Sequence, residues 1–146
     1  MKPPLHRRRF LKRSAAAGLG LAALEAPQFL RAVAPEKRVV VAVMGLGRGM
    51  DHVKSWLSLK DVELAYVCDV DERRIAEAGK AAESRGARKP EAVKDFRRIL
   101  DQKSVDVLSI AAPNFWHAPA TILACAAGKH VYVEKPGSHN PREGEL

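Results

Sequence analysis

Two groups of residues in this 146-residue chain have the types and spacing to do chemistry. Residues 39–49 read VVVAVMGLGRG, an apolar run that breaks into Gly45, Gly47 and Gly49. Asp69 closes a second apolar run 22 residues after Gly47. A strand, a glycine turn, a helix and then an acid is how a chain holds an adenosine dinucleotide by its pyrophosphate and ribose. Gly45 permits the tight turn. Gly47 lets the pyrophosphate approach the backbone, and the helix start offers free N–H groups to it. Arg48 either lies beside the phosphates or faces solvent. A strict G-x-G-x-x-G needs a glycine at Met50, which demands a wider gap between helix and strand; Gly49 is placed to relieve part of that crowding. Asp69 can accept the ribose hydroxyls, and it would repel a 2′-phosphate, which favours NAD over NADP. The bland reading of Asp69 is a helix cap, a role Asp71 fills better.

The second group is Glu134-Lys135-Pro136, a charged pair at the end of a short apolar run. Pro136 pins Lys135 toward extended geometry and admits the cis form. From such a ledge an ammonium can hydrogen-bond a substrate hydroxyl and lower the cost of its deprotonation. The competing reading is a surface salt bridge. Between the two groups lie Pro113, Asn114 and His117, at the edge where open α/β sheets bind ligands; they line a cofactor cleft or form a turn and helix cap.

The elements that must position these residues alternate. Strands are expected at Val39–Met44, Val62–Cys68, Val105–Ile110 and His130–Val133. Helices are expected from Gly49 to Leu59, after an Asp71 cap with Ile75, Ala78 and Ala82 buried, and over Trp116–Ala127 with Gly128 as C-cap. A short apolar face runs through Val93, Phe96, Ile99 and Leu100, and Pro141–Leu146 reads as the start of another helix. Alternation with short connections implies a doubly wound parallel sheet of Rossmann type, a three-layer α/β sandwich. The sheet is expected to be unfinished, as in a partial chain.

Residues 1–34 are set aside as an export leader and 35–146 as the nucleotide-binding domain. The leader carries seven Lys/Arg and one Glu, so most of the net charge of +8 belongs to it. The charge is therefore poor support for nucleic-acid binding. Arg73–Arg74 and Arg97–Arg98 read as solvated faces. The stretch Ala15–Leu24 is too short to span a bilayer, and no stable span is expected after processing. Arg7, Arg8, Arg9, Phe10, Leu11 and Lys12 resemble the twin-arginine motif R-R-x-F-L-K, with His6 where Ser or Thr is usual. That resemblance implies export of a folded protein by the twin-arginine machinery to the periplasm. Cys68 and Cys125 read as core residues, and their spacing gives no metal site.

The segment from Lys37 to Asn140 resembles the N-terminal domain of the glucose-fructose oxidoreductase / inositol dehydrogenase / rhizopine catabolism (Gfo/Idh/MocA) family. The resembling pieces are VAVMGLGRG with His52, CDVD around Asp69, DFRRIL, VDVLSIAAPNFWH up to His117, and GKHVYVEKP ending at Pro136. The resemblance implies an NAD-dependent oxidoreductase that transfers hydride at a carbinol carbon of a sugar or cyclic polyol. It assigns the catalytic lysine to Lys135 and the cofactor loop to Gly45 and Gly47. The family's second domain, which supplies a catalytic His, has no counterpart here. The 146-residue chain is therefore expected to lack turnover by itself, and a homo-oligomer is compatible with the full-length protein. The alternative is an exported nucleotide- or ligand-binding module, or a degenerate fragment, without catalysis.

Overall fold

A computed structural model describes residues 38–145. The leader reading of residues 1–34 lies outside the described residues. Strand β1 spans Val39–Met44 and helix α1 Gly49–Trp56; β2 spans Val62–Cys68 and α2 Glu72–Glu83. Then come β3, Glu91–Val93, the short helix α3, Arg97–Leu100, and β4, Val107–Ile110. A 3₁₀ turn at Asn114–Trp116 leads into α4, His117–Ala126, which is followed by β5, His130–Val133.

The strands are all parallel, in the order β3-β2-β1-β4-β5. The chain winds outward one way from β1 through β2 to β3, then returns to the other side of β1 for β4 and β5. The reversal lies between β1 and β4, where the strand ends leave a crevice. Helices cover both faces, so β1 is apolar along its length. Ala42 and Met44 pack with Phe96, Ile99, Leu108, Ile110, Ala120 and Ala124 on the face of α3 and α4. Val43 packs with Leu46, Val53, Leu64, Val67 and Ala78 on the face of α1 and α2. Each fully buried Val, Leu or Ile here contributes about 1.5–3 kcal/mol.

The α/β architecture is the one expected, with corrections at the margins. The expected four strands are five, because Glu91–Val93 pairs with Tyr66–Cys68 at the sheet edge. α1 ends at Trp56 rather than Leu59, and β4 begins at Val107 rather than Val105. Trp116 belongs to the 3₁₀ turn, and Pro141–Glu145 is a 3₁₀ turn rather than an α-helix. Cys125 is exposed on α4, not a core residue, whereas Cys68 is buried. Asp71 caps α2 as expected, its carboxylate accepting from the Arg73 N–H at 2.9 Å.

Candidate functional site

Strand pairing sets the ends of β1, β4 and β5 side by side. The Gly45 N–H donates to the Cys68 carbonyl, Ala111 to Met44 and Glu134 to Ile110, all at 2.8–2.9 Å. The glycine turn, the Ala111–Asn114 loop and the Glu134–Pro136 turn therefore share one edge of the sheet.

Gly45 has φ +83°, a conformation that side chains disfavour. A Cβ there would lie 2.5 Å from the backbone of Ala112, so the turn and the loop after β4 meet backbone to backbone. Gly47 is exposed, and a Cβ on it would run into the Arg74 guanidinium. Gly49 is buried in the first turn of α1, and a Cβ would stand 3.1 Å from Val43 and 3.4 Å from Ala111. It fills the close-packing role that the strict pattern gives to the next residue. The wider gap expected from Met50 is absent, because Met50 turns toward the apolar cluster of α1 and α2. No side chain caps the first turn of α1, whose positive dipole end follows directly on the glycine turn; the Asp51 N–H donates back to the Arg48 carbonyl at 3.1 Å. Arg48, at the N-cap, is exposed and lies 3.9 Å from Asp51.

Asp69 is half-buried and does more than terminate β2. One carboxylate oxygen accepts the Leu46 N–H at 2.7 Å and the other accepts Asp71 N–H at 2.9 Å. The acid thus clasps the glycine turn to the start of α2. A carboxylate offers about four lone-pair sites, so acceptors remain for a ribose diol.

Two clefts flank the turn and meet at Ala112. One, of about 580 Å³, is lined by Gly45, Asp69, Pro113 and an apolar set, Val70, Phe115 and Trp116. The other, of about 370 Å³, is lined by Arg48, Asn114, His117, Glu134 and Lys135. This arrangement fits an extended dinucleotide: an apolar slot for a base beside a ribose acceptor, an uncapped helix start with Arg48 and Arg74 at the centre, and a polar end at Lys135. Sequence reasoning missed Val70, Phe115 and Trp116, which stay 80%, 54% and 41% exposed around the first cleft. The available signal was an aromatic pair inside the loop that also holds Pro113 and Asn114.

The Lys135–Pro136 peptide is cis. Lys135 is exposed and makes no ion pair among the described residues. Glu134 turns away from it to His52, so the salt-bridge reading does not describe this pair. The His52 bond holds the Glu134 carboxyl below its ordinary range, assisted by Arg48 and opposed by partial burial. His117 lines the cleft but is 3% exposed and is engaged elsewhere. Its ring nitrogens face the carbonyls of Pro136 at 2.6 Å and Ala112 at 2.9 Å, stapling the loop after β4 to the lysine turn. Asn114 makes no side-chain cap and is exposed at the cleft rim. Among the described residues no cluster of three or more His, Cys, Asp or Glu could hold a metal ion. No described helix is long and apolar enough to cross a membrane.

Residues 39–145 match the family model of the Gfo/Idh/MocA proteins, described as an oxidoreductase family with an NAD-binding Rossmann fold. The chain belongs to that family. Among curated relatives it is 32% identical to glycosyl hydrolase family 109 protein 1 of Shewanella sp. strain MR-4 and 31% identical to an alpha-N-acetylgalactosaminidase of Shewanella oneidensis. Each alignment covers 90% of this chain and 34% of the relative, so the chain spans about a third of their length. Among solved structures, GenD2 of gentamicin A biosynthesis, in complex with NAD, is 29% identical with a TM-score of 0.63, over 75% of this chain and 30% of that one. The WlbA dehydrogenase of Chromobacterium violaceum, with NADH and UDP-GlcNAcA, is 26% identical with a TM-score of 0.62, over 76% and 31%. Scyllo-inositol dehydrogenase of Lactobacillus casei is 26% identical with a TM-score of 0.66, over 75% and 32%. The three solved structures share the fold, and GenD2 and WlbA hold NAD and NADH respectively.

Proposed function

We propose that this chain is the cofactor-binding part of an NAD-dependent oxidoreductase that acts at a carbinol carbon of a sugar or cyclic polyol. The observation that carries the reading is the alignment of one crevice: Asp69 at one end, the uncapped α1 start in the middle and Lys135 at the other. The nicotinamide, when bound, supplies hydride transfer. Lys135 donates a hydrogen bond to the reacting oxygen and stabilises the charge that grows on it as the carbinol hydride passes to the nicotinamide and the hydroxyl proton passes to solvent water. Gly45, Gly47, Arg48 and the first turn of α1 hold the phosphates, Asp69 the ribose, and Pro113 and Asn114 border the cleft. Sugar-linked and polyol-linked names among the solved neighbours support the substrate class.

Calorimetric titration of the 146-residue chain with NAD⁺, NADH, NADP⁺ and NADPH tests this reading. Tighter binding of the unphosphorylated pair is expected. Equal or tighter binding of the phosphorylated pair overturns the cofactor assignment.

The family 109 names favour a second reading, cofactor-assisted cleavage of a glycosidic bond. NAD-dependent release of nitrophenol from a nitrophenyl N-acetylgalactosaminide, by the enzyme that carries this segment, would select it. Net NADH formation from a free polyol would select the first. We also infer, from Arg7, Arg8 and Phe10–Lys12, export by the twin-arginine route to the periplasm. Replacing Arg7 and Arg8 by Lys should leave precursor in the cytoplasm; undiminished processed protein in the periplasm counts against that route.

A further inference from the structure

His52 lies on α1 and lines neither of the two clefts, yet it reaches the lysine turn. It is 7% exposed. Its Nδ1 stands 2.9 Å from the hydroxyl of Ser109 on β4, and its Nε2 stands 3.0 Å from Oε1 of Glu134. Ser109 is fully buried, and its oxygen also accepts the Trp56 indole N–H at 3.1 Å. Tyr132 of β5 closes the group, edge-on to both rings, with centroids 5.3 Å from His52 and 6.0 Å from Trp56.

The donors and acceptors of this group have one consistent assignment. An indole N–H only donates, so Ser109 Oγ must accept from Trp56. The Ser109 hydroxyl hydrogen has a single acceptor among the described residues, His52 Nδ1. In the neutral ring the proton then sits on Nε2, and it donates to the Glu134 carboxylate. Because the chain of bonds begins at an indole N–H, which only donates a hydrogen bond and has no second proton to pass on, it orients and does not conduct.

We propose that His52 is a positioning residue of the cofactor–substrate cleft: Ser109 and Trp56 fix its tautomer, and its Nε2–H holds one oxygen of Glu134 so that the other is offered to an N–H or O–H of the molecule bound beside Lys135. Three elements distant in sequence, α1, β4 and the end of β5, meet in this one chain of bonds through His52. Glu134 then remains charged and inward-held while Lys135, the next residue, stays unpaired and exposed to the cleft. The Glu134 carboxyl is held below its ordinary titration range, with the His52 bond as the leading cause, which agrees with the geometry. The titratable and charged groups facing Glu134 are the His52 imidazole from α1, the Arg48 guanidinium from the glycine turn and its neighbour Lys135.

The significance for the cleft rests on the function proposed above; the tautomer does not. The test uses the intact 146-residue chain, ¹⁵N-labelled at histidine and ¹³C-labelled at glutamate. Long-range ¹H–¹⁵N spectra of the wild type, recorded above the titration of the histidines, should show the His52 proton on Nε2. A proton on Nδ1 overturns the proposal without any variant. His52→Ala should move the Glu134 carboxyl titration upward, toward the ordinary glutamate range. His52→Gln, which restores an amide N–H near the Nε2 position, should keep most of the lowering. A folded His52→Ala chain with an unmoved Glu134 midpoint overturns the proposal, since a packing role alone would leave that midpoint in place. NADH titration of the same samples separates the two claims. A wild type that ignores NADH refutes the proposed function and leaves the tautomer result standing, whereas a wild type that binds NADH with an Nδ1-protonated His52 refutes only the positioning role.

Discussion

Gly45→Ala is the sharpest test of how the crevice is built. Two costs arise at this position. The first is conformational: at φ +83° an L-residue loses about 1–2 kcal/mol. The second is steric. The new Cβ would lie 2.5 Å from Ala112 N and Cα and 2.8 Å from the carbonyl carbon of Ala111, where ordinary contact begins at 3.4 Å. The obstacle is backbone, with no flexible side chain to swing away, so the loop after β4 must retreat by about 0.9 Å. Overpacking of that kind costs about 1–3 kcal/mol. The sum is about 2–5 kcal/mol, a large share of the roughly 5–15 kcal/mol that stabilises a small domain. Gly128→Ala is the matched control, because φ there is +72° and nothing lies within 4 Å of the added Cβ. It carries the conformational cost alone. Urea denaturation of the two variants should therefore separate them by about 1–3 kcal/mol. NADH titration should separate them as well, because Ala112 borders both clefts and its carbonyl holds His117. Equal midpoints for the two variants would refute the claim that backbone meets backbone at Gly45.

Other outcomes are expected. Asp69→Asn keeps one of the two accepted backbone N–H bonds and removes the charge, so it should narrow the preference for NAD(H) over NADP(H) and lower stability by about 1–3 kcal/mol; calorimetry and denaturation read the two effects separately. Lys135→Ala should leave NADH affinity nearly unchanged, because the lysine stands at the far end of the crevice from Gly45 and Asp69; a large loss would move it into the phosphate or ribose site. Burial first, then Asp69 and Asp95, push the Cys68 thiol up to about 12, so a disulfide reagent at mild alkaline pH should label Cys125 alone until urea exposes the second thiol. Asp71, Asp95 and Glu134 all titrate below their ordinary ranges, held by Arg73, Arg97 and His52 respectively. Depressed carboxylates stabilise the fold above the unfolded pKa, and that contribution is lost as pH falls through the folded value, so urea midpoints should hold down to about pH 4 and fall below it.

Much of the architecture was legible because its signals are local. Val39–Met44 is apolar without interruption, which only a strand covered on both faces tolerates, and the glycines that follow mark a turn whatever the rest of the chain does. Asp71 is followed within two residues by the N–H it caps. Asp69 and Lys135 were placed at the correct edge of the sheet because every parallel strand ends there. By contrast, β3 is three residues long, with two of them exposed, and carries no pattern of its own; it exists because Tyr66–Cys68 leaves an open edge to pair with.

What the amino-acid sequence determined by itself is the set of elements and the glycine turn, since apolar period, caps and turn residues act over a few positions. Tertiary structure alone decided which side chain meets which. It put Gly49, and not residue 50, against Val43, because the face of α1 that is buried is the one carrying Gly49, His52 and Val53. It turned Cys125 outward on a helix whose apolar residues run nearly all the way round, so that periodicity had no face to choose. It tied His117 to two backbone carbonyls, and it brought His52, Ser109 and Glu134 within hydrogen-bond reach across up to 82 residues of chain. No local signal encodes such a meeting, because hydrogen bonds between distant residues depend on strand order and register, which are settled only when the whole sheet forms.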